Sequence, residues 1–168
     1  MNGVLKSWAV PKGIPLDKGE ARLAMEVEDH PIEYGSFEGI IPPGNYGAGP
    51  VQLWDRGKYE AADVDPAKAL RKGKLSFILH GKKLKGHWTL VRTRREDVTR
   101  DSWLLIKTGE NVPSRPADEM DRSVLSGKTL GELSESRQVW KSLRRSSTAP
   151  TSFKAHIRRL VARKRGRA

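Results

Sequence analysis

The sequence predicts a mainly β protein: a small antiparallel β-barrel with one or two flanking helices and a basic helical C-terminal tail. Short apolar or alternating segments recur at regular spacing over the first 110 residues, and runs rich in Gly, Pro and Asn separate them. Regularly spaced strands with little helix between them are typical of antiparallel barrels and sandwiches. One stretch of this region, residues 65–73, has the residues that start and stop a helix.

Six segments are predicted as strands because they combine alternation or a short apolar run with turn residues at their ends. They cover residues 4–10, 22–28, 51–54, 75–80, 87–94 and 102–107. Gly81 and Gly86 bound a tight connection between two of them, and residues 55–58 are predicted as a hairpin turn. The helix begins at Asp65, which can cap it, and ends at Gly73.

The composition changes near residue 110 and predicts three regions. Residues 1–110 form the β-barrel domain, residues 111–136 a linker with a short helix, and residues 137–168 a basic tail. Thr129 and Glu132 have the spacing of a capping box, which favours a helix start within the linker. In the tail, apolar residues at helical spacing lie among arginines, a pattern typical of a basic amphipathic helix.

Composition and charge exclude several classes of protein. The 168 residues include no Cys, which excludes disulfide scaffolds and Cys-ligated metal sites, and the longest apolar run is four residues, too short for a transmembrane helix. The net charge is +12, and residues 137–168 contain eleven Lys or Arg and no Asp or Glu. So basic a segment indicates a polyanionic partner such as nucleic acid, or else a solvated tail that maintains solubility.

One predicted strand carries polar residues suited to phosphate chemistry. If the strand continues to His30, then Arg22, Glu28 and His30 project from the face opposite its apolar residues, such as Leu23. Arg grips two phosphoryl oxygens through its planar guanidinium, and His donates a proton to a leaving alkoxide. The alternative is that these residues form the solvated face of a half-buried strand.

Three other features are weaker candidates for a site. Residues 39–49, rich in Gly and Pro, resemble a phosphate cradle, but no helix follows them and a structured turn is favoured. The four His residues lack the spacing of metal ligands. Basic clusters at residues 82–85 and 92–95 predict either a patch that contacts a phosphate backbone or a strand edge that lysines protect from pairing.

Six longer segments match sequence motifs of a known enzyme family, and they occur in the same order. They are residues 3–13 (GVLKSWAVPKG), 27–34 (VEDHPIEY), 37–47 (FEGIIPPGNYG), 51–57 (VQLWDRG), 84–92 (LKGHWTLVR) and 103–107 (WLLIK). The chain resembles the 3′-phosphoesterase domain of bacterial DNA ligase D, the multifunctional enzyme of bacterial non-homologous end joining. The resemblance covers residues 1 to about 110 without a large gap, and several long matches in order make it specific.

The resemblance implies a fold, a reaction and a set of site residues. It implies a small β-barrel that removes 3′-phosphates and 3′-terminal ribonucleotides from primer strands, with Mn²⁺ as the preferred metal. Arg22, Glu28, His30 and Tyr34 match the active-site Arg, Glu, His and Tyr of the family, and Lys12 matches a basic position near the same pocket. By this resemblance, Arg22 and His30 hold the scissile phosphate, and Glu28 and Tyr34 support them.

One motif that the resemblance implies is not found in this sequence. The family's His-x5-His-x-Asp metal motif would lie just before the position of Gly3, and no other His/Asp cluster replaces it. Mn²⁺ is therefore expected only for a domain that contains this motif. We expect the 168-residue chain by itself to be inactive or nearly so, because a metal would stabilise the phosphoryl charge and the attacking water.

These observations predict a protein that processes DNA ends in the cytoplasm, associated with the nucleoid. The expected partners are DNA 3′ ends on primer–templates and a ligase domain, a polymerase domain or an end-binding protein; no membrane partner is expected. The alternative function is a non-catalytic DNA-binding accessory protein that acts through the basic tail. Binding at the site would prefer a 3′-phosphate end and depend on Arg22, whereas binding through the tail would weaken steeply with salt.

Overall fold

The computed structural model describes residues 1–45, 47–93 and 102–140. In chain order, its elements are β1 (Val4–Ala9), β2 (Ala21–Pro31), a 3₁₀ helix (Ile32–Ser36), β3 (Gly39–Ile41), β4 (Gly49–Val51), β5 (Gly57–Ala61), α1 (Pro66–Lys72), β6 (Lys74–Gly81), β7 (Lys85–Arg92), β8 (Ser102–Lys107), α2 (Ala117–Met120) and α3 (Leu130–Ser134). Of the predicted basic tail, residues 141–168 lie outside the described residues. None of the helices in the described ranges is long and apolar enough to cross a bilayer.

Six strands form one antiparallel sheet in the order β1-β2-β8-β7-β6-β5. The sheet curls into half of a barrel, so β1 and β5 are its edge strands. β3 and β4 form a separate antiparallel pair. The prediction of a mainly β, antiparallel fold with few helices is confirmed.

Two indole rings are fully buried on one face of the sheet, which we call the inner face. Trp88 and Trp103 lie there with Ala24, and all three are 0% exposed. Trp88 Nε1 donates to the Pro15 carbonyl at 2.9 Å, and Trp103 Nε1 donates to Glu26 at 3.0 Å, so both buried N–H groups are satisfied. Beside these rings, the inner face lines an apolar cavity of about 340 Å³.

The inner face of β2 is the opposite of the one that its apolar residues suggest. Arg22 pairs with Leu105 and Ala24 pairs with Trp103 across the β2–β8 ladder. Leu23, on the outer face, is 47% exposed. The interpretation of Arg22 as part of a solvated strand face therefore does not hold, because the neighbouring strand brings its tryptophan to the Arg22 side.

The single helix of the predicted barrel region has the predicted boundaries. The Asp65 carboxylate accepts from the Lys68 N–H at 2.9 Å, and Gly73 ends α1 with a φ of 91°. A φ in this range favours glycine, so the end of the helix could be predicted from the sequence. The predicted strands 75–80, 87–94 and 102–107 correspond to β6, β7 and β8, with bounds that differ by no more than two residues.

The predicted hairpin turn at residues 55–58 is wrong. β4 pairs with β3 and β5 pairs with β6, so the strands on either side of this turn are not neighbours. The Asp55 carboxylate instead accepts the backbone N–H groups of Lys82, Lys83 and Leu84, at 2.9, 3.1 and 2.8 Å. Besides the local Arg56 N–H, at 2.8 Å, Asp55 thus binds three N–H groups of the β6–β7 connection.

Three described side chains of the two predicted basic clusters, those of Lys82, Lys83 and Arg92, make contacts within the fold. The Nζ groups of Lys82 and Lys83 donate to backbone carbonyls of residues 120–124, and Lys83 is 7% exposed. The Arg92 guanidinium lies 4.6 Å from the Trp103 ring centroid and donates to two carbonyls at the end of α1. These contacts give Lys82, Lys83 and Arg92 structural roles, whereas Lys85 is exposed. Arg94 and Arg95 lie outside the described residues, and the phosphate-binding interpretation of the clusters stays a prediction.

The segment predicted as a linker, residues 111–136, packs against the β3–β4 pair and the residues that follow it. The Val124 N–H donates to the Leu53 carbonyl at 2.9 Å, and Leu133 of α3 is 3% exposed. The predicted capping box at the start of α3 is present with both of its hydrogen bonds. This segment therefore returns the chain to the β3–β4 pair, close to the end of β2.

Candidate functional site

A β-bulge in β2 sets the orientation of His30. Ser7 pairs with residue 27, but Leu5 pairs with His30, so two residues of β2 lie opposite Lys6. One extra residue in a strand reverses the alternation of the side chains beyond it. His30 therefore projects from the outer face of the sheet, where Ser7 also lies.

The Ser7 hydroxyl orients the imidazole ring of His30. Ser7 Oγ lies 2.8 Å from His30 Nδ1 and 3.0 Å from the Leu5 carbonyl oxygen. Because a carbonyl oxygen only accepts, both contacts are satisfied when Ser7 donates its one proton to Leu5 and accepts from Nδ1–H. This arrangement favours the tautomer with its proton on Nδ1, which leaves Nε2 for a substrate.

Tyr34, on the 3₁₀ helix that follows β2, covers the His30 ring. The two ring centroids are 4.9 Å apart, with an angle of 19° between the planes. Phe37 stacks next to Tyr34 at 6.3 Å. Burial raises the pKa of the Tyr34 phenol, so the hydroxyl stays protonated at neutral pH and can donate a hydrogen bond.

Trp140 joins these rings from a distant part of the chain. Its ring meets those of Tyr34 and Phe37 edge-on, at centroid distances of 5.3 and 4.9 Å. We call His30, Tyr34, Phe37 and Trp140 the aromatic cluster. From the sequence alone, Trp140 falls in the basic tail, and its contact with Tyr34 and Phe37 is not predicted. No local sequence pattern indicates how the segment before Trp140 returns to the β-strands.

Arg22 lies near the other end of β2, on the inner face. Its guanidinium pairs with the Glu20 carboxylate, and its Nε is buried without a hydrogen-bond partner among the described residues. The Leu16 N–H also donates to Glu20, at 3.0 Å. This hydrogen bond, and then Arg22, hold the pKa of Glu20 below its ordinary value, so Glu20 is ionised and the Arg22 charge is balanced.

The structure does not bring all the predicted site residues together. The stretch of β2 between Arg22 and His30 measures roughly 25 Å at about 3.3 Å per residue, and the two side chains lie on opposite faces. Glu28 is exposed at the bulge, and Lys12 is exposed in the turn after β1. Among the described contacts of the five predicted residues, the one pair that meets is His30 and Tyr34.

Glu38 is a buried carboxylate that the sequence alone did not indicate as a site residue. It is 4% exposed and accepts from the Leu53 N–H at 2.9 Å and from the Ser123 hydroxyl. Burial alone would raise its pKa, but hydrogen bonds from Ser123, Ser126 and Leu53 outweigh burial and hold the pKa below its ordinary value. Glu38 therefore ties the start of β3 to the segment that leads to Trp140.

A family model described as DNA Ligase D 3′-phosphoesterase domain matches residues 1–92, which is more than half of the chain. The chain belongs to this family. The matched residues include Ser7, Arg22, His30 and Tyr34, but not Trp140. The resemblance stated from the sequence motifs is thus confirmed.

Relatives with the same domain are multifunctional end-joining proteins. The chain is 48% identical over 136 residues to the Multifunctional non-homologous end joining protein LigD of Pseudomonas aeruginosa, which covers 77% of this chain and 16% of the relative. Identity to the protein of that name from Mycolicibacterium smegmatis is 39% over 122 residues, 70% of this chain and 15% of the relative. Identity to the Multifunctional non-homologous end joining DNA repair protein LigD of Mycobacterium tuberculosis is 44% over 105 residues, 61% of this chain and 13% of the relative.

The chain thus spans about a sixth or less of the length of these relatives. Membership of the 3′-phosphoesterase family identifies the kind of domain that this chain contains. The family also suggests dependence on a metal ion.

The described side chains do not provide a donor set for such a metal. Within residues 1–45, 47–93 and 102–140, no group of three or more His, Cys, Asp or Glu side chains is placed to hold one ion. At the aromatic cluster, His30 is a single nitrogen donor next to a hydroxyl and a phenol. The residues present in these ranges therefore do not fit Mn²⁺.

Proposed function

We propose that this domain processes the 3′ ends of DNA, by hydrolysing a 3′-phosphate or removing a 3′-terminal ribonucleotide. The observation that carries the proposal is the arrangement of His30, held by Ser7 and stacked on Tyr34, in a chain of the 3′-phosphoesterase family. An oriented His beside a neutral phenol suits proton transfer at a phosphoester.

In this proposal, His30 is the proton donor for the leaving group. The protonated ring donates from Nδ1 to Ser7 and from Nε2 to the 3′-oxygen of the leaving sugar. The oxygen of a water molecule bonds to phosphorus as the bond between phosphorus and the 3′-oxygen breaks, and the water proton passes to solvent. The products are a 3′-hydroxyl end and inorganic phosphate, and His30 regains its proton from solvent.

Tyr34 and Glu28 have supporting roles in the proposal. The Tyr34 phenol is kept neutral by burial, which raises its pKa, so it can donate a hydrogen bond to a phosphoryl oxygen. Glu28 is exposed at the bulge, two positions before His30. A carboxylate there can accept a hydrogen bond from the attacking water or from a sugar hydroxyl.

Arg22 and Lys12 are proposed to bind phosphate groups of the substrate strand. Arg offers a planar fork of donors and Lys a mobile charge. The resemblance implies that Arg22 holds the scissile phosphate, whereas its distance from His30, roughly 25 Å along the strand, supports contact with a different phosphate. Arg22→Ala separates these roles: loss of the preference for a 3′-phosphate would place Arg22 at the scissile group, and equal weakening for all ends would place it elsewhere.

The binding test uses primer–template DNA that ends in a 3′-phosphate or a 3′-hydroxyl, with affinity measured by fluorescence anisotropy at fixed salt. We expect tighter binding to the 3′-phosphate end and loss of this preference in His30→Ala. His87→Ala is the matched control, because His87 is exposed on β7. Equal affinity of the wild-type chain for both ends would contradict the proposed function.

We further propose that Mn²⁺ is the metal of the complete reaction and that the 168-residue chain by itself turns over little. The support is the sequence, which holds no His-x5-His-x-Asp motif, together with the donor set of the described residues. In Mn²⁺, release of phosphate by this chain is expected to stay near background. Robust release of phosphate that is abolished in His30→Ala would overturn the proposal of low activity but not the proposed end-processing role.

A second candidate function is a non-catalytic accessory protein that binds DNA through the basic tail. The observation that favours it is the charge of residues 137–168, with eleven Lys or Arg and no Asp or Glu. For either function, we propose action in the cytoplasm at the nucleoid, beside a ligase domain, a polymerase domain or an end-binding protein. Binding that ignores the 3′ group and depends wholly on the tail would favour this second function.

A further inference from the structure

Trp140 lies outside the part of the chain that the family model matches, yet it contacts the candidate site. The family match ends at residue 92. The Trp140 ring is 5.3 Å from Tyr34, edge-on with an angle of 83°, and Tyr34 in turn is stacked on His30. Trp140 also packs on Phe37 at 4.9 Å, so it closes one side of the aromatic cluster.

The backbone fixes the position of Trp140 independently of its ring. The Trp140 N–H donates to the Ile40 carbonyl at 2.9 Å, and the Ile40 N–H donates to the Gln138 carbonyl at 2.7 Å. Val139 forms a parallel bridge with Ile40. Residues 138–140 therefore pair with the edge of β3 through an isolated parallel bridge.

Gly39 allows this close approach. A Cβ atom at this position would lie 2.2 Å from the Gln138 carbonyl oxygen, and the φ of Gly39 is 139°, where side chains are strained. Any other residue would push the segment that carries Trp140 away from β3. Thus the glycine at 39, the hydrogen bonds and the ring contacts all place Trp140 against Tyr34.

We infer that Trp140 is a positioning residue for His30, acting through Tyr34. A Tyr ring on a short 3₁₀ helix can turn away from its neighbour unless another ring supports it, and here Trp140 and Phe37 provide that support. Without Trp140, Tyr34 loses an edge-on partner, and the stack that covers His30 loosens. This inference rests on the proposed function, in which His30 and Tyr34 act on the 3′ end.

The test compares Trp140→Ala, Trp140→Phe and a control, Val139→Ala, in the full chain. Val139 forms the bridge to Ile40 with its backbone and its side chain is 45% exposed, so its truncation leaves the cluster in place. The first readout is the NMR signal of the His30 ring, which reports the stacked Tyr34 ring without any need for activity. We expect a clear shift in Trp140→Ala, a small shift in Trp140→Phe and none in Val139→Ala.

The second readout is the preference for a 3′-phosphate over a 3′-hydroxyl end. We expect Trp140→Ala to lose about fivefold of this preference, as for the loss of an aromatic pair. Gly39→Ala displaces the segment without touching its rings and is expected to shift the His30 signal in the same way. It keeps the inference testable if Trp140→Ala fails to fold.

An unchanged His30 signal in Trp140→Ala would overturn the inference. A shifted signal in a chain whose wild type shows no 3′-phosphate preference would refute the proposed function while confirming that Trp140 acts on His30 through Tyr34. A shifted signal with an unchanged preference would make Trp140 a structural residue only, which also overturns the inference.

Discussion

At the scale of residues, the hydroxyl of Ser7 decides which nitrogen of His30 meets a substrate. Free imidazole exchanges its proton between two nitrogens, and a partner at one nitrogen selects one tautomer. Here the Leu5 carbonyl takes the hydroxyl proton, so Ser7 is left to accept from Nδ1–H. The motif around residue 7 was visible in the sequence, but this role was not.

Ser7→Ala is expected to relax the His30 tautomer, because Nδ1–H loses its acceptor. The measurement is the pair of imidazole ¹⁵N shifts, which should move from a predominantly Nδ1–H ring toward a mixture. The preference for a 3′-phosphate end should fall about fivefold, the equivalent of one hydrogen bond. Ser7→Thr retains the hydroxyl and serves as the control; the same tautomer ratio in wild type and Ser7→Ala would contradict the assignment.

The Tyr34 phenol gives a prediction at alkaline pH. Burial raises its pKa in the folded state, above the unfolded value of about 10. Its contribution to stability is therefore fully present below pH 10 or so and is lost as the pH rises through the folded pKa.

The measurement is ultraviolet titration of the three tyrosines, with the pH dependence of thermal unfolding alongside it. We expect Tyr34→Phe to remove the last tyrosine ionisation and to reduce the alkaline loss of stability. Tyr59→Phe is the control, since Tyr59 is 49% exposed. If Tyr34→Phe leaves the final titration step in place, the phenol is not protected as described.

At the scale of elements, the single strand β2 places its side chains in two different environments. Its first half presents Arg22 and Ala24 to the inner face, and the bulge turns His30 to the outer face. Strict alternation would put these side chains on one face, and the single extra residue opposite Lys6 changes that result. The bulge is thus the local feature that separates His30 from the core.

The β6–β7 connection depends on a carboxylate from outside it. Asp55 accepts three backbone N–H groups of that connection. We expect Asp55→Ala to reduce the free energy of unfolding in urea by about 3 kcal/mol, because several charge-assisted hydrogen bonds are removed together. Asp63→Ala, in an exposed loop, is the control, and an equal effect of both variants would show that the Asp55 contacts do not stabilise the fold.

At the scale of the whole molecule, the described start of the basic tail, residues 137–140, reaches the aromatic cluster through Trp140. Ten of the eleven basic residues of 137–168 follow Trp140 in the sequence. Removal of all of 137–168 would therefore take away both the charge and the ring. The two candidate functions are separable only if the chain is cut after Trp140.

Two truncations make this separation. Deletion of 141–168 is expected to retain the His30 signal and the 3′-phosphate preference. The slope of log K for DNA binding against log salt concentration is expected to become shallower by about 0.9 for each phosphate group that the tail had neutralised. Deletion of 138–168 is expected to change the His30 signal as well. Anisotropy titrations over a range of salt concentrations test both, and loss of the preference in the shorter deletion would mean that the tail itself recognises the 3′ end.

The local elements and the family could be predicted from the order of the residues alone. The capped helix α1, the strands β6 to β8 and the capping box of α3 were all legible, since turn residues, alternation and caps act over a few positions. The motifs that contain His30 and Tyr34 were likewise continuous in the chain. These features depend on neighbours in sequence, so no tertiary information was needed.

Only the folded structure shows which face of β2 is the inner one and which residues meet at its end. Ala24 is buried because Trp103 pairs with it. His30 lies on the outer face because the β-bulge shifts the register between β1 and β2 by one residue. Trp140 reaches Tyr34 because the segment 111–140 packs back on β3, where Gly39 leaves room for it. Each of these outcomes depends on contacts between residues far apart in the chain, and local propensity carries no information about such contacts.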